Sequence, residues 1–314
     1  MPEHQPVLIT GGNGNLGRLV AERLLSRNYP VIKFDLPGTE PGHTSAGETV
    51  ITGDIRDSGL LKQIIGDTRP SRIYHLASLL SGSSETNPLD AWEINASASF
   101  NLLKLAGDQG IDRFFFASTI ATYGAVDSDP MPADHPQWPD NLYGATKVAV
   151  ERLGVYFKLN HGLDFRCARY PMVVSPYAPK TAVTAYPSHA LRAAFNGESF
   201  TFPVSEHTSM STMFLDDVVA SIVDIMEVDR SALTQHVYGL HAYTPPAGQV
   251  ASAAREKFPG FEFSFDPLVS VEHLISSWPD ALDDSSARKD WHWNPLYDFF
   301  ASAQKMFRLL EQEI

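Results

Sequence analysis

The chain has 314 residues, of which 43% are hydrophobic and 19% charged, the proportions of a globular protein and not of a disordered one. With 24 Lys and Arg against 37 Asp and Glu, the formal net charge is −13 and no Lys/Arg cluster stands out, so neither nucleic acid nor an anionic membrane is an expected partner. The single cysteine, Cys167, excludes an intrachain disulfide and Cys-rich metal sites, and the 11 His residues form no HExxH-like pattern, so no metal centre is expected.

The apolar run Val7-Leu8-Ile9 follows the N-terminus at once, without a basic, cleavable leader, and no apolar stretch approaches the roughly 20 residues that span a bilayer. The expected compartment is the cytoplasm. The patterning then predicts strands at 7–10, 31–35, 49–53, 71–76, 113–118 and 164–170. Helices are predicted at about 15–27, 59–66, 88–108 and 142–160. Such strand–helix alternation implies an α/β fold with a doubly wound parallel sheet. After Pro171 proline recurs and the apolar runs shorten. A helix is expected at 216–228, a strand at 235–240, a helix at 249–257, a strand at 261–265 and a terminal helix from about Leu296. The expected division is a first domain over 1–175, taking also part of about 205–240, and a smaller, partly interleaved C-terminal substrate domain over 176–314.

Between the first strand and the first helix lies Thr10-Gly11-Gly12-Asn13-Gly14-Asn15-Leu16-Gly17. Glycines at 11, 14 and 17 permit a tight turn, a close approach of backbone to a pyrophosphate, and packing of the helix on the strand. An ordinary strand–helix turn is the bland alternative. Asp35 ends the second strand, where a carboxylate accepts hydrogen bonds from an adenosine ribose, and no Arg or Lys follows to hold a 2′-phosphate. That pattern favours NAD over NADP. Asp54 and Ile55, after the third strand, are placed to flank an adenine, with an N-cap for the next helix as an alternative nearly as good.

Tyr143 and Lys147 open the long helix of the middle region, four residues apart and so on one face. A free phenol has a pKa of about 10, so a Tyr base working near pH 7 needs a fall of about three units, or about 4 kcal/mol, which a neighbouring Lys⁺ and an oxidised nicotinamide favour. Tyr29 and Lys33 repeat the spacing, but they enter a strand, where the pair would not share a helical face. Ser118-Thr119 ends a strand at the ligand-binding edge expected of a parallel sheet, with Thr119 placed to hydrogen-bond a reacting hydroxyl.

In their order, the glycine turn, Asp35, Gly53-Asp54-Ile55, His75-Leu76-Ala77, Ile94-Asn95, Ser118-Thr119 and Tyr143/Lys147 resemble the extended short-chain dehydrogenase/reductase family, with its Rossmann-type sheet. Within it the chain is most similar to the epimerase-like NAD-dependent L-threonine 3-dehydrogenases. Leu79-Leu80-Ser81-Gly82, Arg169-Tyr170-Pro171, Ser277-Trp278-Pro279 and the ending Asp283-Asp284-Ser285 with Ala287-Arg288-Lys289-Asp290-Trp291 carry that likeness. The resemblance implies NAD held by Gly11, Asn13, Gly14, Asn15, Leu16, Gly17, Asp35, Asp54, Ile55, Leu76, Ala77, Ser78, Asn95, Tyr143, Lys147 and Tyr170. It implies Tyr143 as base, Thr119 positioning the alcohol, Lys147 on the nicotinamide ribose, and a small-molecule substrate touched by Ser81, Gly82, Thr119 and Tyr143.

One departure bears on the substrate. Where the threonine enzymes carry a Gly-rich stretch ending Thr-Thr-Asp-Tyr, this chain reads Pro179-Lys180-Thr181-Ala182-Val183-Thr184-Ala185-Tyr186-Pro187. Lys180 or Thr184 remains to hold a carboxylate. A bulkier, phenylserine-like 3-hydroxy amino acid, or a hydroxy acid without the amine, is therefore an alternative to L-threonine. A nucleotide-sugar epimerase is a further alternative, and a non-catalytic NAD sensor is disfavoured by the retained Tyr/Lys pair. The apolar excess of the helices near 88–108 and 142–160, together with the family's pairing of these helices, leads to the expectation of a homodimer.

Overall fold

The computed structural model describes residues 4–39, 45–126 and 129–312. In chain order the first elements are β1 (Val7–Thr10), α1 (Asn15–Ser26), β2 (Val31–Asp35), β3 (Glu48–Thr52), α2 (Ser58–Thr68) and β4 (Arg72–His75). There follow α3 (Ser81–Thr86), α4 (Pro88–Ala91), a π-helical segment (Trp92–Ser97), α5 (Ala98–Asp108), β5 (Arg113–Thr119), α6 (Leu142–Asn160) and β6 (Asp164–Tyr170). The remainder comprises β7 (Met172–Val174), α7 (Tyr186–Asn196), β8 (Phe200–Phe202), β9 (Thr212–Phe214), α8 (Leu215–Ile225) and β10 (Tyr238–Gly239). It closes with α9 (Ala247–Lys257), β11 (Phe263–Phe265), α10 (Val269–Ser276), α11 (Ser285–Trp291) and α12 (Phe299–Gln312).

The large sheet has seven strands in the order β10-β6-β5-β4-β1-β2-β3, a parallel, doubly wound, Rossmann-like sheet. The order reverses at β1, with β2 on one side and β4 on the other. At such a switch point the helices leave a crevice at the strand carboxyl ends. Central strands are buried on both faces and read as continuous apolar runs: β1 is Val7-Leu8-Ile9-Thr10, buried throughout. Leu8, Ile32, Phe34, Ile73, Phe114 and Phe165 meet Leu61, Leu102 and Phe157 from the helices.

The chain forms two compact units. The first comprises residues 1–122, 137–169 and 219–238, and the second 123–136, 170–218 and 239–314. In the second, β7 pairs in parallel with β9 and β8 with β11. The β8–β11 pair is a run of phenylalanines, with Phe202 and Phe265 stacked at 5.0 Å. Its core gathers Tyr186, Leu191, Phe202, Phe214, Phe261 and Phe307. Segment 123–136 joins this unit through Met131, whose N–H donates to Ala281 O and whose O accepts from Asp283 N, both at 2.8 Å.

The helix expected at 88–108 runs through α4, the π-helical segment and α5 with helical backbone at each junction. Two differences from the sequence expectations have local causes. Helix α3 lies in Ser-Gly-Ser-Ser-Glu-Thr, which has no apolar period to announce it. The short strands β7, β8 and β9 hold three residues each, fewer than a two-residue period needs to show itself.

The second unit contains a buried carboxylate that sets a pH dependence. Asp217 is fully buried in the first turn of α8. Its Oδ1 accepts from Leu296 N at 2.7 Å, and its Oδ2 has no hydrogen-bond partner among the described residues. Burial pushes its pKa up to about 6, against the backbone amides of Leu296 and Tyr297 and with the help of Asp216. The folded pKa lies above the unfolded value of about 4, so between about pH 4 and 6 the folded state binds more protons and stability falls as pH rises. Asp217→Asn keeps an acceptor for the amides and removes the charge. Thermal melting across that window should show a flatter pH dependence in Asp217→Asn than in the wild type.

Candidate active site

The glycine turn, Asp35, Thr119, Tyr143 and Lys147 all belong to the first unit, and the turn and strand-end residues follow the carboxyl ends of β1, β2 and β5. Gly17, in the first turn of α1, lies so close to the preceding turn that a Cβ would sit 2.1 Å from Gly11 O. No side chain caps α1, whose N-cap is Gly14, so the start of the helix is open to an anion. The turn is tied to β2 by Asp35: Oδ2 accepts from Asn13 N and Oδ1 from Leu36 N, each at 2.8 Å. Each carboxylate oxygen keeps lone-pair capacity for a ribose hydroxyl. Asn13 Oδ1 is buried with no partner among the described residues, an acceptor awaiting a donor. The turn, the uncapped helix and Asp35 fit a dinucleotide.

Beyond β4, Asn95 in the π-helical segment pins the following loop. Its Oδ1 accepts from Leu79 N at 2.7 Å and Ser78 Oγ at 3.2 Å, and its Nδ2 donates to Leu79 O at 3.0 Å. Its amide thus shapes the backbone beside Leu76, Ala77 and Ser78. Ser81 and Gly82 form the exposed first turn of α3. Asp54 is engaged by Arg56, whose Nε and Nη2 donate to its two oxygens at 3.0 and 2.6 Å. The cap of α2 is Asp57, which accepts from Leu60 N, so the N-cap alternative for Asp54 is set aside. Ile55 is buried. Tyr170, Lys180 and Thr184 belong to the second unit; Tyr170 is buried and Lys180 exposed.

Asn141 caps α6, accepting from Gly144 N at 2.8 Å, and so sets Tyr143 in the first turn. Gly144 is pressed onto the residues after β5: a Cβ there would meet Ala121 O at 2.2 Å. One turn on, Lys147 is 5% exposed. Its Nζ donates to Ala117 O at 2.9 Å, 4.7 Å from the Phe116 ring centroid and 5.4 Å from that of Tyr143. Thr119 Oγ1 accepts from Ala121 N at 3.2 Å.

Burial pushes the Tyr143 phenol up to about 12. A Tyr143 base working near neutrality therefore asks more of its neighbouring charges than a free phenol would. Burial also pulls Lys147 down to about 8, against the raising effect that Cys167 would have as a thiolate and that of Glu151. Cys167 itself is pushed well up by burial, so near neutrality its thiol carries no charge. Its place in β6 is that of a core residue.

Sequence reasoning names His75 only within a family stretch, without a role, and does not reach Glu151. His75 is buried, with Thr10 Oγ1 at 2.7 Å from Nδ1 and Ser99 Oγ at 2.7 Å from Nε2. Ser99 Oγ donates to Asn95 O, which assigns the imidazole proton to Nε2 and leaves Nδ1 accepting from Thr10. Burial, with Lys147, pulls its pKa to about 3, so it is neutral. Glu151 carried a legible signal, a carboxylate one turn beyond Lys147 on the same helical stripe.

Residues 7–240 match the NAD dependent epimerase/dehydratase family. The chain belongs to that family. It is 32% identical over 300 residues to the mitochondrial L-threonine 3-dehydrogenase of Sus scrofa, covering 94% of this chain and 80% of that enzyme. The L-threonine dehydrogenase structure from Clostridium difficile superposes with a TM-score of 0.92 at 28% identity, covering 99% of each chain. The L-threonine 3-dehydrogenase structure from Trypanosoma brucei does so at 0.91 and 29% identity, covering 99% and 98%. As an epimerase/dehydratase family member the chain binds NAD(P). Among the described residues no helix is long and apolar enough to cross a membrane, and no group of three or more His, Cys, Asp and Glu is placed to hold a metal ion.

A methyl group at Gly17 has no room without opening the turn. Gly17→Ala should lower stability by about 1–3 kcal/mol and weaken NAD binding by roughly tenfold or more. Thermal melting and calorimetric titration with NAD measure the two effects.

Proposed function

We propose that the chain oxidises the 3-hydroxyl of a 3-hydroxy amino acid with NAD, L-threonine giving 2-amino-3-oxobutyrate. The observation that carries this reading is the Tyr143–Lys147 pair on α6, its lysine buried, beside the Thr119 end of β5, in a chain similar to L-threonine 3-dehydrogenases over nearly its whole length. Asp35, with no Arg or Lys at position 36, supports NAD over NADP.

The chemistry asks three things of these residues. Thr119 Oγ1 orients the substrate hydroxyl, Tyr143 Oη takes its proton, and the Lys147 ammonium favours the phenolate. Lys147 and Asp35 hold the ribose hydroxyls, and the glycine turn with the start of α1 holds the pyrophosphate. Bound NAD supplies the acceptor for the hydride leaving the carbinol carbon. The proton on Tyr143 passes to solvent.

The second reading, a bulkier 3-hydroxy amino acid or an amine-free hydroxy acid, rests on the 179–187 segment, which lacks the glycines and the Asp of the threonine enzymes. NADH formation separates the readings. A rate with L-threonine well above those with L-allo-threonine, threo-phenylserine and 3-hydroxybutyrate supports threonine, and a rate only with the latter two supports the second reading. Silence across the panel, with NAD retained in the purified protein, supports an epimerase. Tyr143→Phe should lower kcat by roughly a thousandfold or more while the Kd for NAD stays within about threefold. Persistent turnover would remove Tyr143 as the base.

Two copies are proposed to pair through the helices near 88–108 and 142–160. Leu89, Trp92, Phe100, Tyr156 and Leu159 are exposed there, an apolar set that water alone covers poorly. Analytical ultracentrifugation should return twice the chain mass, and Leu89→Asp with Leu159→Asp should return the single chain.

A further inference from the structure

The stripe of α6 that carries Tyr143 and Lys147 continues one turn on to Glu151. This carboxylate is fully buried and saturated. Oε1 accepts from Ser118 Oγ at 2.5 Å and Arg169 Nε at 3.0 Å; Oε2 accepts from Arg169 Nη2 at 2.7 Å and Gln137 Nε2 at 2.9 Å. Arg169, on β6, is 2% exposed, so neither charge meets water. Apolar side chains of similar volume hold two elements together as well as a buried ion pair or better. The pair therefore calls for a reason besides stability.

Its position supplies one. Ala117, Ser118 and Thr119 are consecutive at the end of β5. Ala117 O accepts from Lys147, and Ser118 Oγ donates to Glu151. Neighbouring side chains of a strand point to opposite faces, so clamping Ser118 fixes the direction in which Thr119 points. The groups facing Lys147 are Tyr143 and Glu151 on its own helix, Phe116 and Ala117 O on β5, Cys167 on β6 and His75 on β4. The imidazole and the thiol are neutral near pH 7, as burial dictates. Glu151 is the carboxylate left to oppose the burial of the ammonium.

We propose that Glu151, held by Arg169, is a positioning residue for the alcohol oxidation. It fixes the strand end that carries Thr119, and it supplies the negative charge that keeps Lys147 protonated beside Tyr143. The inference rests on the dehydrogenase reading above, and its test has a readout that needs no substrate.

That readout is the ionisation of Tyr143 with NAD bound, taken as the near-ultraviolet difference titration between each protein and its Tyr143→Phe counterpart. Glu151→Gln should move this titration up by about one pH unit, lower kcat by about tenfold or more, and leave the Kd for NAD within about threefold. Glu151→Asp restores the charge and should return the titration to the wild-type position. Ser118→Ala keeps the charge and loses one clamp, so kcat should fall about threefold or more with the titration unmoved. A Glu151→Gln protein that melts earlier, yet keeps the wild-type titration and kcat per NAD-binding site, would overturn the proposal. Should Glu151→Gln fail to fold, unchanged kcat in Ser118→Ala overturns it. A wild type silent toward every alcohol overturns the dehydrogenase reading, while the Tyr143 titration still decides the role of Glu151.

Discussion

The organisation of the first unit turns on an ammonium group taken almost out of water. Lys147 is 5% exposed, and its ammonium donates to a backbone carbonyl, Ala117 O. Burying a cation is costly unless partners compensate. The compensation here is a carbonyl at the end of β5, an aromatic face from Phe116 and a carboxylate one helical turn away. Each of these also locates something the chemistry needs: the strand end bearing Thr119, the helix bearing Tyr143, and the distance between lysine and phenol. A site built around a solvated lysine would have none of these constraints.

Burial sharpens the chemistry as well as the geometry. It moves Tyr143 away from the phenolate and Lys147 toward the neutral amine, both against the proposed mechanism. Nearby charge has to reverse both movements, and in a low-dielectric site it acts strongly. The same logic explains why His75, despite its place beside Lys147, is a neutral hydrogen-bond relay from Thr10 to Ser99 and not an acid or base.

The ending that shares in the likeness to threonine dehydrogenases has a structural use in the second unit. Asp284 accepts from Arg288 Nε at 2.8 Å and from Trp293 Nε1 at 3.1 Å, closing the chain around α11. Trp291 and Trp293 are buried with ring centroids 5.6 Å apart. Leu282 pairs with Met131, so this ending also anchors segment 123–136, whose own composition gives no hint of the unit it joins.

What the sequence by itself determined is what depends on a few neighbouring residues. The alternation of strands and helices, the glycine turn, the acidic end of β2 and the Tyr143/Lys147 spacing are set by the local periods of strand and helix, and all appear where expected. Tyr29 and Lys33 show the limit. They share the spacing of Tyr143 and Lys147, but Lys33 is buried against Glu48 and Tyr29 donates to Glu227 at 3.1 Å. Only strand adjacency could assign those partners. The same holds for Glu151 with Ser118 and Arg169, and for Arg113 and Arg166, which reach the backbone carbonyls at Met226 and Ile225 at the end of α8. A chain with no basic cluster in its sequence thus gathers arginines at one helix end. Partners far apart in sequence are chosen by which strands lie side by side, and sheet order is a property of the whole chain that no local pattern encodes.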